Sequence, residues 1–382
     1  MIVYLDLISG NNSNDGLTPA TPKLSLTNAT ALITGVTDEI RVRATDALFS
    51  SVGNATWTDG NNTVIMTGDT TGSIAAGDYI CKTVSGSTIP KPYLVASRAY
   101  AAGTNLTTIT LTFAAGCYNY YGTTETVPTS KLVISAVIAL QTFGRNGQTS
   151  GTADSWNRVD TKISGGWDSG YTTQNGYTLI RNTANTSAYS VLNNEATARQ
   201  YWDIQRFVIF NSRQYSIQYN TYCHWKDCVW IGVLNSTASR QPFAPASTWS
   251  IYENCFFYFG ASAYESVNGA QSNAKMINCH WQQTQARQNV YNFTTSGLWS
   301  GCTIIAGNAS TLHTVSAVNF YNCIIKSKSA TNLCTTTSAN NFYNCTIDCI
   351  ATPVTLGTAT TNLYDCTYTN TTGMFTSTCT AI

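Results

Sequence analysis

A cysteine that recurs at nearly constant spacing is the feature that most constrains how this chain folds. Successive members of the series lie between 21 and 27 residues apart. The series comprises Cys228, Cys255, Cys279, Cys302, Cys323, Cys345 and Cys366. A repeat of this length is typical of solenoids, in which each repeat is one supersecondary unit that stacks on the next.

The residue that precedes each of these cysteines comes from the small group that tolerates left-handed backbone. Asn and Asp adopt positive φ more readily than other residues with a side chain, and Gly adopts it without steric cost. One such residue in every repeat predicts one sharp corner in every repeat. The predicted corner residues are Asp227, Asn254, Asn278, Gly301, Asn322, Asn344 and Asp365.

Two apolar columns flank this corner. The position three residues before the cysteine holds Trp225, Tyr252, Met276, Trp299, Phe320, Phe342 and Leu363. The position two residues after it holds Trp230, Phe257, Trp281, Ile304, Ile325, Ile347 and Tyr368. Residues i and i+2 of a strand share a face, so the cysteine and the second column point the same way. The corner turns the first column inward as well, and this strand–corner–strand pattern predicts the rung of a parallel β-helix.

Other repeat architectures fit less well, and the thiols are expected to be structural. Leucine-rich repeats need a Leu-x-x-Leu-x-Leu scaffold, which is absent, and propellers need a period of about 40 residues or more. Rungs stack about 4.8 Å apart, but side chains in register approach each other with the wrong geometry for disulfides. We expect inward, reduced cysteines that pack as small hydrophobes, and a serine at Cys323 would then bury a hydroxyl without an assured partner.

The composition favours an all-β fold and excludes several classes of function. Only 10% of the residues are charged and the net charge is +1, whereas a typical soluble domain has about 25% charged residues. Nucleic acid and anionic membranes both require clustered Lys and Arg, so neither is an expected partner. The N-terminus shows no secretory signal, and the number of cysteines is odd, at 13, so a disulfide framework is not expected.

The chain is expected to fold as a right-handed parallel β-helix, a single-stranded solenoid, with a small inserted antiparallel β-domain near the N-terminus. Short strands at close spacing with turns between them predict the insertion. The solenoid is expected to resume at Lys131, and the stretch 201–210 to form one strand. The expected segments are an N-terminal strand, turn and helical cap over 1–49 (the helix within 24–34), the inserted domain over 50–127, and the β-helix with Asn-Cys rungs over 128–382.

Few side chains suggest chemistry. Three carboxylates could lie on neighbouring rungs, which is the arrangement that glycoside hydrolysis requires, and three tryptophans outside the columns could be platforms for a ligand. His280 follows a column cysteine and should point outward, either solvated or packed under a loop. No metal site and no cofactor are expected. The candidate carboxylates are Asp203, Asp227 and Glu253, and the candidate platforms are Trp156, Trp167 and Trp249.

The segment from Tyr4 to Pro22 resembles the opening of pectate-lyase-like parallel β-helix proteins, in which a strand ending in Tyr-Val-Asp precedes a Gly-Asn-Asp-Gly-Leu-x-Pro turn and a capping helix. With the inserted domain and the Asn-Cys rungs, the whole chain resembles the β-helix virion proteins of tailed bacteriophages. The resemblance implies assembly in the host cytoplasm, a place on the virion surface, and association into a homotrimer.

Two functions follow from this resemblance. The first is a non-enzymatic structural protein that decorates the capsid or forms a head spike, with the capsid protein as partner. The alternative is a tailspike or receptor-binding protein that recognises, with or without depolymerising it, a host surface polysaccharide. The motifs Asn-Thr-Asp, Asp-Asp, Gly-His-Gly and Arg-Ile-Lys, which β-helix hydrolases of the polygalacturonase type carry, are absent, and this favours a protein without enzymatic activity.

Overall fold

The computed structural model describes most of the strands, including the six strands of the inserted domain. The described residues are 1–35, 37–58, 61–83, 89–112, 124–134, 141–143, 161–181, 192–194, 202–211, 215–218, 223–232, 241–243, 250–259, 271–272, 274–283, 293–295, 297–306, 312–314, 318–327, 334–336, 340–349, 361–369 and 379–381. Within these ranges the fold is a parallel β-helix that carries a small antiparallel barrel, as expected.

One face of the solenoid, which we call the long sheet, has twelve parallel strands in the described part of the chain. Each strand pairs in register with the strand of the next rung. Its strands are Ile2–Leu5, Glu39–Arg43, Thr161–Trp167, Trp202–Gln205, Cys223–Lys226, Ile251–Glu253, Lys275–Ile277, Gly297–Ser300, Val318–Tyr321, Asn340–Tyr343, Thr361–Tyr364 and Cys379–Ala381.

The second face, which we call the middle sheet, has nine parallel strands among the described residues. They are Thr178–Arg181, Phe207–Asn211, Val229–Gly232, Phe256–Phe259, His280–Gln283, Thr303–Ala306, Ile324–Ser327, Thr346–Cys349 and Thr367–Thr369. Two further parallel sheets have four described strands each. They comprise Gln141–Phe143, Leu192–Asn194, Tyr215–Gln218 and Gln241–Phe243, and then Gln271–Ser272, Phe293–Thr295, Leu312–Thr314 and Cys334–Thr336.

The predicted corner between the long and middle sheets is confirmed in all seven rungs. Every predicted corner residue has a φ between 50° and 63°. The corner N–H continues the ladder by donating to a carbonyl of the next rung, as Asn322 does to Tyr343 at 2.9 Å. The tight turn therefore leaves no break in the hydrogen bonding along the axis.

The interior columns are also confirmed. The residues three before the cysteine are all buried, and so are the described side chains two after it; the side chain of Tyr368 lies outside the described residues. Aromatic rings stack from rung to rung, with centroids 4.7 Å apart for Trp230 and Phe257 and 4.6 Å apart for Phe320 and Phe342. Stacking at the strand spacing lets large side chains fill the core without voids.

The column thiols make hydrogen bonds in addition to apolar contacts. The backbone N–H of Cys279, which the corner turns inward, donates to Sγ of Cys302 at 3.4 Å. Sγ of Cys302 in turn has the carbonyls of Met276 and Ser300 within 3.3 Å. In all seven rungs Sγ of the column cysteine also lies within 3.4 Å of the carbonyl oxygen two residues before it.

This bonding corrects one expectation from the sequence. Sγ of Cys323 has the carbonyl of Tyr321 at 3.3 Å, so a serine hydroxyl there would have an acceptor. Every cysteine whose side chain the structure describes is unbridged. The column thiols are unbridged and hydrogen-bonded, and they are buried except that of Cys366, which is half-buried; their reduced state stays a prediction.

The stretch expected as a single strand over 201–210 is two strands with a corner at Arg206. The φ of Arg206 is 57°, and its N–H donates to the carbonyl of Lys226 at 3.2 Å. Phe207 takes the place of the cysteine in this rung and is buried in the core. Arg is not one of the residues that favour left-handed backbone, so the sequence pattern of the corners did not predict a corner in this rung.

The inserted domain is a closed antiparallel barrel between the second and third strands of the long sheet. Its strands are Phe49–Trp57, Thr63–Thr67, Tyr79–Lys82, Tyr93–Ala101, Leu106–Leu111 and Glu125–Leu132. Lys131 lies in the last barrel strand, so the solenoid does not resume there. A short helix, Leu26–Thr30, begins at an N-cap hydrogen bond from the N–H of Asn28 to Oγ of Ser25 and lies within the expected cap. The described part of the chain contains no helix long and apolar enough to cross a bilayer.

The barrel is seated on the outer face of the middle sheet through an aromatic cluster. Tyr258 donates its hydroxyl to the carbonyl of Thr112 at 3.0 Å and accepts the N–H of Leu94 at 3.3 Å. The rings of Tyr79 and Tyr93 pack edge-on against that of Tyr258, with centroids 6.3 and 5.6 Å apart. The outward side chains of these rungs are therefore buried.

This packing explains why His280 is not solvated. The side chain points away from the solenoid core, as expected, but only 2% of it is exposed. Its ring stacks on Phe256 with centroids 5.1 Å apart, and Nε2 lies 3.1 Å from Oε1 of Gln282. Burial, and to a smaller extent the charge of Lys91, hold the pKa of His280 well below its usual range.

Candidate functional site

The outer face of the long sheet carries a group of acidic, basic and amide side chains. Residues two apart on one strand share a face, and the strand pairing aligns the outward ones from rung to rung. One outward column runs through Lys162, Asp203 and His224, and a parallel column runs through Gln205, Lys226 and Glu253. We call Asp203, Gln205, His224, Lys226 and Glu253 the charged strip.

Glu253 is the centre of the charged strip. Its Oε2 lies 3.1 Å from Nε2 of His224, and its Oε1 lies 3.3 Å from Nζ of Lys226. Glu253 and Lys226 are in-register neighbours on adjacent rungs. The glutamate is thus held between two nitrogen groups, and roughly 30% of each of the Glu253 and His224 side chains remains exposed.

Asp203 lies two rungs before Glu253 in the other outward column. Its Oδ2 accepts a hydrogen bond from Nε2 of Gln205 at 2.9 Å. Its Oδ1 is buried, and no partner for that atom exists among the described residues. Two rungs correspond to about 10 Å along the axis, with His224 on the rung between.

Asp227 lies at the corner beside this strip rather than on the sheet face. Its Oδ1 accepts a hydrogen bond from Nδ2 of Asn254 at 3.4 Å. Burial raises the pKa of Asp227 above its usual range, against the effects of the Asn254 hydrogen bond and of Lys226 and Arg206, while the charge of Glu253 adds to the rise. The structure thus brings the three candidate carboxylates to one edge of one face, but the contacts of Asp227 are also those of a corner residue.

Trp167 is part of a network on the earlier rungs of the same face. The guanidinium of Arg41 lies 4.0 Å above its ring centroid, and Nε1 donates to Oγ of Ser164 at 2.8 Å. Glu39 accepts from Ser164 at 2.6 Å and from Nε of Arg41 at 3.2 Å. One face of Trp167 is therefore occupied by a cation, and its role as a ligand platform stays a prediction. Trp156 and Trp249 lie outside the described residues.

The same two outward columns continue past Lys275 and Ile277 and hold only uncharged residues in the rungs of Tyr321, Tyr343 and Tyr364. The rings of Tyr321 and Tyr343 stack with centroids 4.6 Å apart, and those of Tyr343 and Tyr364 with centroids 4.5 Å apart. Beside them an amide ladder runs along the axis, in which each Nδ2 donates to the preceding Oδ1 at 2.8 Å. We call Asn319, Asn341, Asn362, Tyr321, Tyr343 and Tyr364 the tyrosine–asparagine strip.

Sequence reasoning overlooked this strip although its signal is visible. Tyr-Asn-Cys occurs at Cys323 and Cys345 and Tyr-Asp-Cys at Cys366. The sequence reasoning used only the corner residue. It did not compare, from rung to rung, the tyrosine directly before the corner or the asparagine two residues before that tyrosine. Both lie at even offsets from each other, so they share the outward face.

The described residues contain no group of three His, Cys, Asp or Glu side chains that could hold a metal ion. The cavity beside Asp6, Arg43 and Asp46 has a volume of about 20 Å³, which is room for roughly one water molecule. The chemistry available on the described surface is therefore hydrogen bonding by acids, cations, amides and phenols along one rigid sheet.

No protein-family model matches the chain, and no curated protein matches it. Among solved structures, the chain is similar to the tailspike protein gp49 from Pseudomonas phage LKA1, with 12% identity, a TM-score of 0.24, and coverage of 90% of this chain and 67% of that one. It is similar to the Pseudomonas phage phi297 tailspike gp61, with 11% identity, a TM-score of 0.29, and coverage of 90% and 61%.

A structure described as a glycoside hydrolase is also similar, with 9% identity, a TM-score of 0.27, and coverage of 100% of this chain and 95% of that one. The chain spans about two thirds of the length of the two tailspikes. The assignment as a parallel β-helix comes from the strand pairing of the chain itself.

Proposed function

We propose that this chain is a virion protein of a tailed phage whose parallel β-helix binds a host surface polysaccharide on the outer face of the long sheet. The observation that carries the proposal is the charged strip, where Glu253 lies between His224 and Lys226 and about 30% of its side chain stays exposed. Sugar hydroxyls both donate and accept, so alternating acceptors and donors on a rigid surface suit them. The sequence resemblance to phage β-helix proteins supports the virion location.

This proposal prefers the receptor-binding alternative to a role in decorating the capsid. A decoration protein needs a surface that matches its capsid partner, and the described surface gives no specific support for such a match. The charged strip, in contrast, places five polar side chains within about three rungs. The decoration role and the homotrimer remain predictions, and mass photometry of the purified protein measures the oligomeric state directly.

Binding of host polysaccharide is tested with an array of bacterial O-antigens and capsular polysaccharides. We expect the wild-type protein to bind a subset of these glycans, and Glu253→Gln and Asp203→Asn to weaken that binding at least about tenfold, which corresponds to the loss of one or two good hydrogen bonds. Thr346→Ala, an exposed position on the middle sheet, is the matched control and should bind as the wild type does. Absence of binding by the wild-type protein across the array would refute the proposal.

Cleavage of the glycan is a separate question that the same reagents answer. The carboxyl groups of a glycosidase lie about 5–10 Å apart, whereas Asp203 and Glu253 are two rungs apart and Glu253 is paired with two nitrogens. Two rungs are about 10 Å, at the upper end of that range, so the separation alone does not decide; because both oxygens of Glu253 are engaged by His224 and Lys226, we expect binding without release of new reducing ends. Release that disappears in Glu253→Gln or Asp227→Asn would instead identify the chain as a depolymerase.

A further inference from the structure

The tyrosine–asparagine strip is an ordered polar surface separate from the charged strip. It occupies the last rungs of the long sheet, in the same two outward columns. Tyr321 is 36% exposed, and the other members are partly exposed. Six neutral polar residues in two straight columns are more regular than a solvated surface requires.

We propose that the tyrosine–asparagine strip is a second carbohydrate subsite, which binds an uncharged stretch of the same polysaccharide chain that lies along the charged strip. This inference rests on the proposed function. It adds that the glycan lies parallel to the solenoid axis. It also adds that the sugars bound at this subsite are neutral and rich in hydroxyl groups.

The amide ladder leaves hydrogen-bonding capacity facing outward. An Asn amide has two N–H donors and an oxygen with two lone pairs. Asn341 uses one N–H to bond Asn319 and accepts one N–H from Asn362. One donor and one acceptor of this amide remain, and a sugar hydroxyl can satisfy either.

The tyrosine stack contributes phenol groups and one ring face. Between stacked rings the faces are closed, so Tyr343 presents its edge and hydroxyl outward. The residue before Tyr321 in the same column is Ser300, which is too small to cover an aromatic ring. The open side of Tyr321 can therefore receive the apolar face of a sugar.

The register joins the two strips into one track. From Glu253 the outward column continues through Ile277 and Ser300 to Tyr321. Three rungs separate Glu253 from Tyr321, or about 14 Å, and five rungs separate Glu253 from Tyr364, or about 24 Å. Only a chain several sugars long reaches from one strip to the other.

Absence of formal charge decides between possible occupants. The six side chains of the strip carry no charge, so they give an acidic sugar or a charged peptide no ionic partner. A second copy of this chain would leave the outward amide groups without complementary partners unless its own amides matched them, and a buried unmatched amide costs binding free energy. An uncharged glycan meets neither difficulty.

The test uses fragments of graded length from the array polysaccharide that the wild-type protein binds best, measured by isothermal titration calorimetry. We expect Tyr343→Ala and Asn341→Ala to weaken binding of the intact polysaccharide about tenfold or more and to leave binding of the shortest bound fragments unchanged. Glu253→Gln should weaken both. Tyr343→Phe, which keeps the ring stack and removes only the hydroxyl, should fall between the wild type and Tyr343→Ala.

Ile324→Ala provides the matched control, because Ile324 is exposed on the middle sheet in the same rung as Tyr321. Wild-type affinity of both strip variants for the intact polysaccharide, alongside a loss in Glu253→Gln, would overturn this inference and leave the proposed function standing. A change of oligomeric mass in the strip variants, with binding intact, would assign the strip to a second copy. A wild-type protein that binds no polysaccharide would refute both proposals.

Discussion

The hydrogen bonding of the thiol column predicts that serine replaces a buried column cysteine better than alanine does, although a buried cysteine is ordinarily treated as a small hydrophobe. Sγ of Cys302 accepts the N–H of Cys279 at 3.4 Å and has the carbonyls of Met276 and Ser300 within 3.3 Å. Alanine at this position would remove the acceptor and orphan a buried amide, at a cost of about 1–3 kcal/mol. Loss of the buried sulfur adds roughly 1 kcal/mol, about that of one methylene.

Serine keeps a donor and an acceptor at the same position. Cys302→Ser should therefore lose mainly the apolar burial of sulfur, about 1 kcal/mol, against about 2–4 kcal/mol for Cys302→Ala. The expected order of stability is wild type, then serine, then alanine. Guanidinium unfolding followed by tryptophan fluorescence measures this order, because six tryptophans are fully buried.

Cys81 is the matched control because it is a thiol in the barrel without this hydrogen bonding. It is 1% exposed, and burial alone raises its pKa to about 12. The order should reverse there, since Cys81→Ser buries a hydroxyl without an assured partner while Cys81→Ala leaves only a small cavity. If Cys302→Ala is as stable as Cys302→Ser, the thiol column is merely apolar and the reasoning fails.

Three other predictions follow from the described structure. Asn322→Val should lower the melting temperature clearly, because a β-branched residue is an outlier at φ 52°, while Asn322→Gly should stay near the wild type; equal effects would contradict the corner assignment. Titration of the denatured, unreduced protein should recover all 13 thiols, and recovery of far fewer would show disulfides. Burial raises the pKa of Asp6, but hydrogen bonds from the N–H groups of Ser9 and Ile8 and from Arg43 outweigh it and lower the pKa overall. The ionised carboxylate therefore stabilises the N-terminal cap above the usual pKa of about 3.9, and this stabilisation is lost as the pH falls below that value. The protection of cap amides from hydrogen exchange, relative to the intrinsic exchange rate, should therefore decrease in acid, and should decrease less in Asp6→Asn.

The repeating part of the fold could be predicted from the sequence because several constraints coincide at each rung. Positive φ restricts the corner to a few residue types, and the period-two alternation of a strand determines which neighbours face inward. Asn322 and Cys323 illustrate both rules in adjacent positions. Where one rule is broken, as at Arg206, the rung was missed, because the register of its neighbours and not its own preference sets the backbone there.

Features that depend on contacts between distant segments could not be predicted. The sequence gives no sign that the barrel packs on the middle sheet, so the burial of His280 against Phe256 follows only from tertiary structure. The contact of Glu253 with both His224 and Lys226 requires the register of two adjacent rungs that lie more than 20 residues apart in the sequence. The grouping of Asp203, Asp227 and Glu253 could be anticipated, but not which of them would be paired.

The hydrogen bonds of the corners give the solenoid a polarity along its axis. Each corner amide with a described partner donates to a carbonyl of the rung that follows it, as Asn278 does to Ser300 at 2.8 Å, and the amide of Cys279 donates to the sulfur of that same following rung, so a rung is complete only when its successor is in place. A chain synthesised from its N-terminus carries unpaired backbone groups along the edge of its newest rung, and the arrival of the next rung pairs them and exposes an equivalent set. Growth of the column is then a vectorial series of equal steps, like the elongation of a polymer at one end.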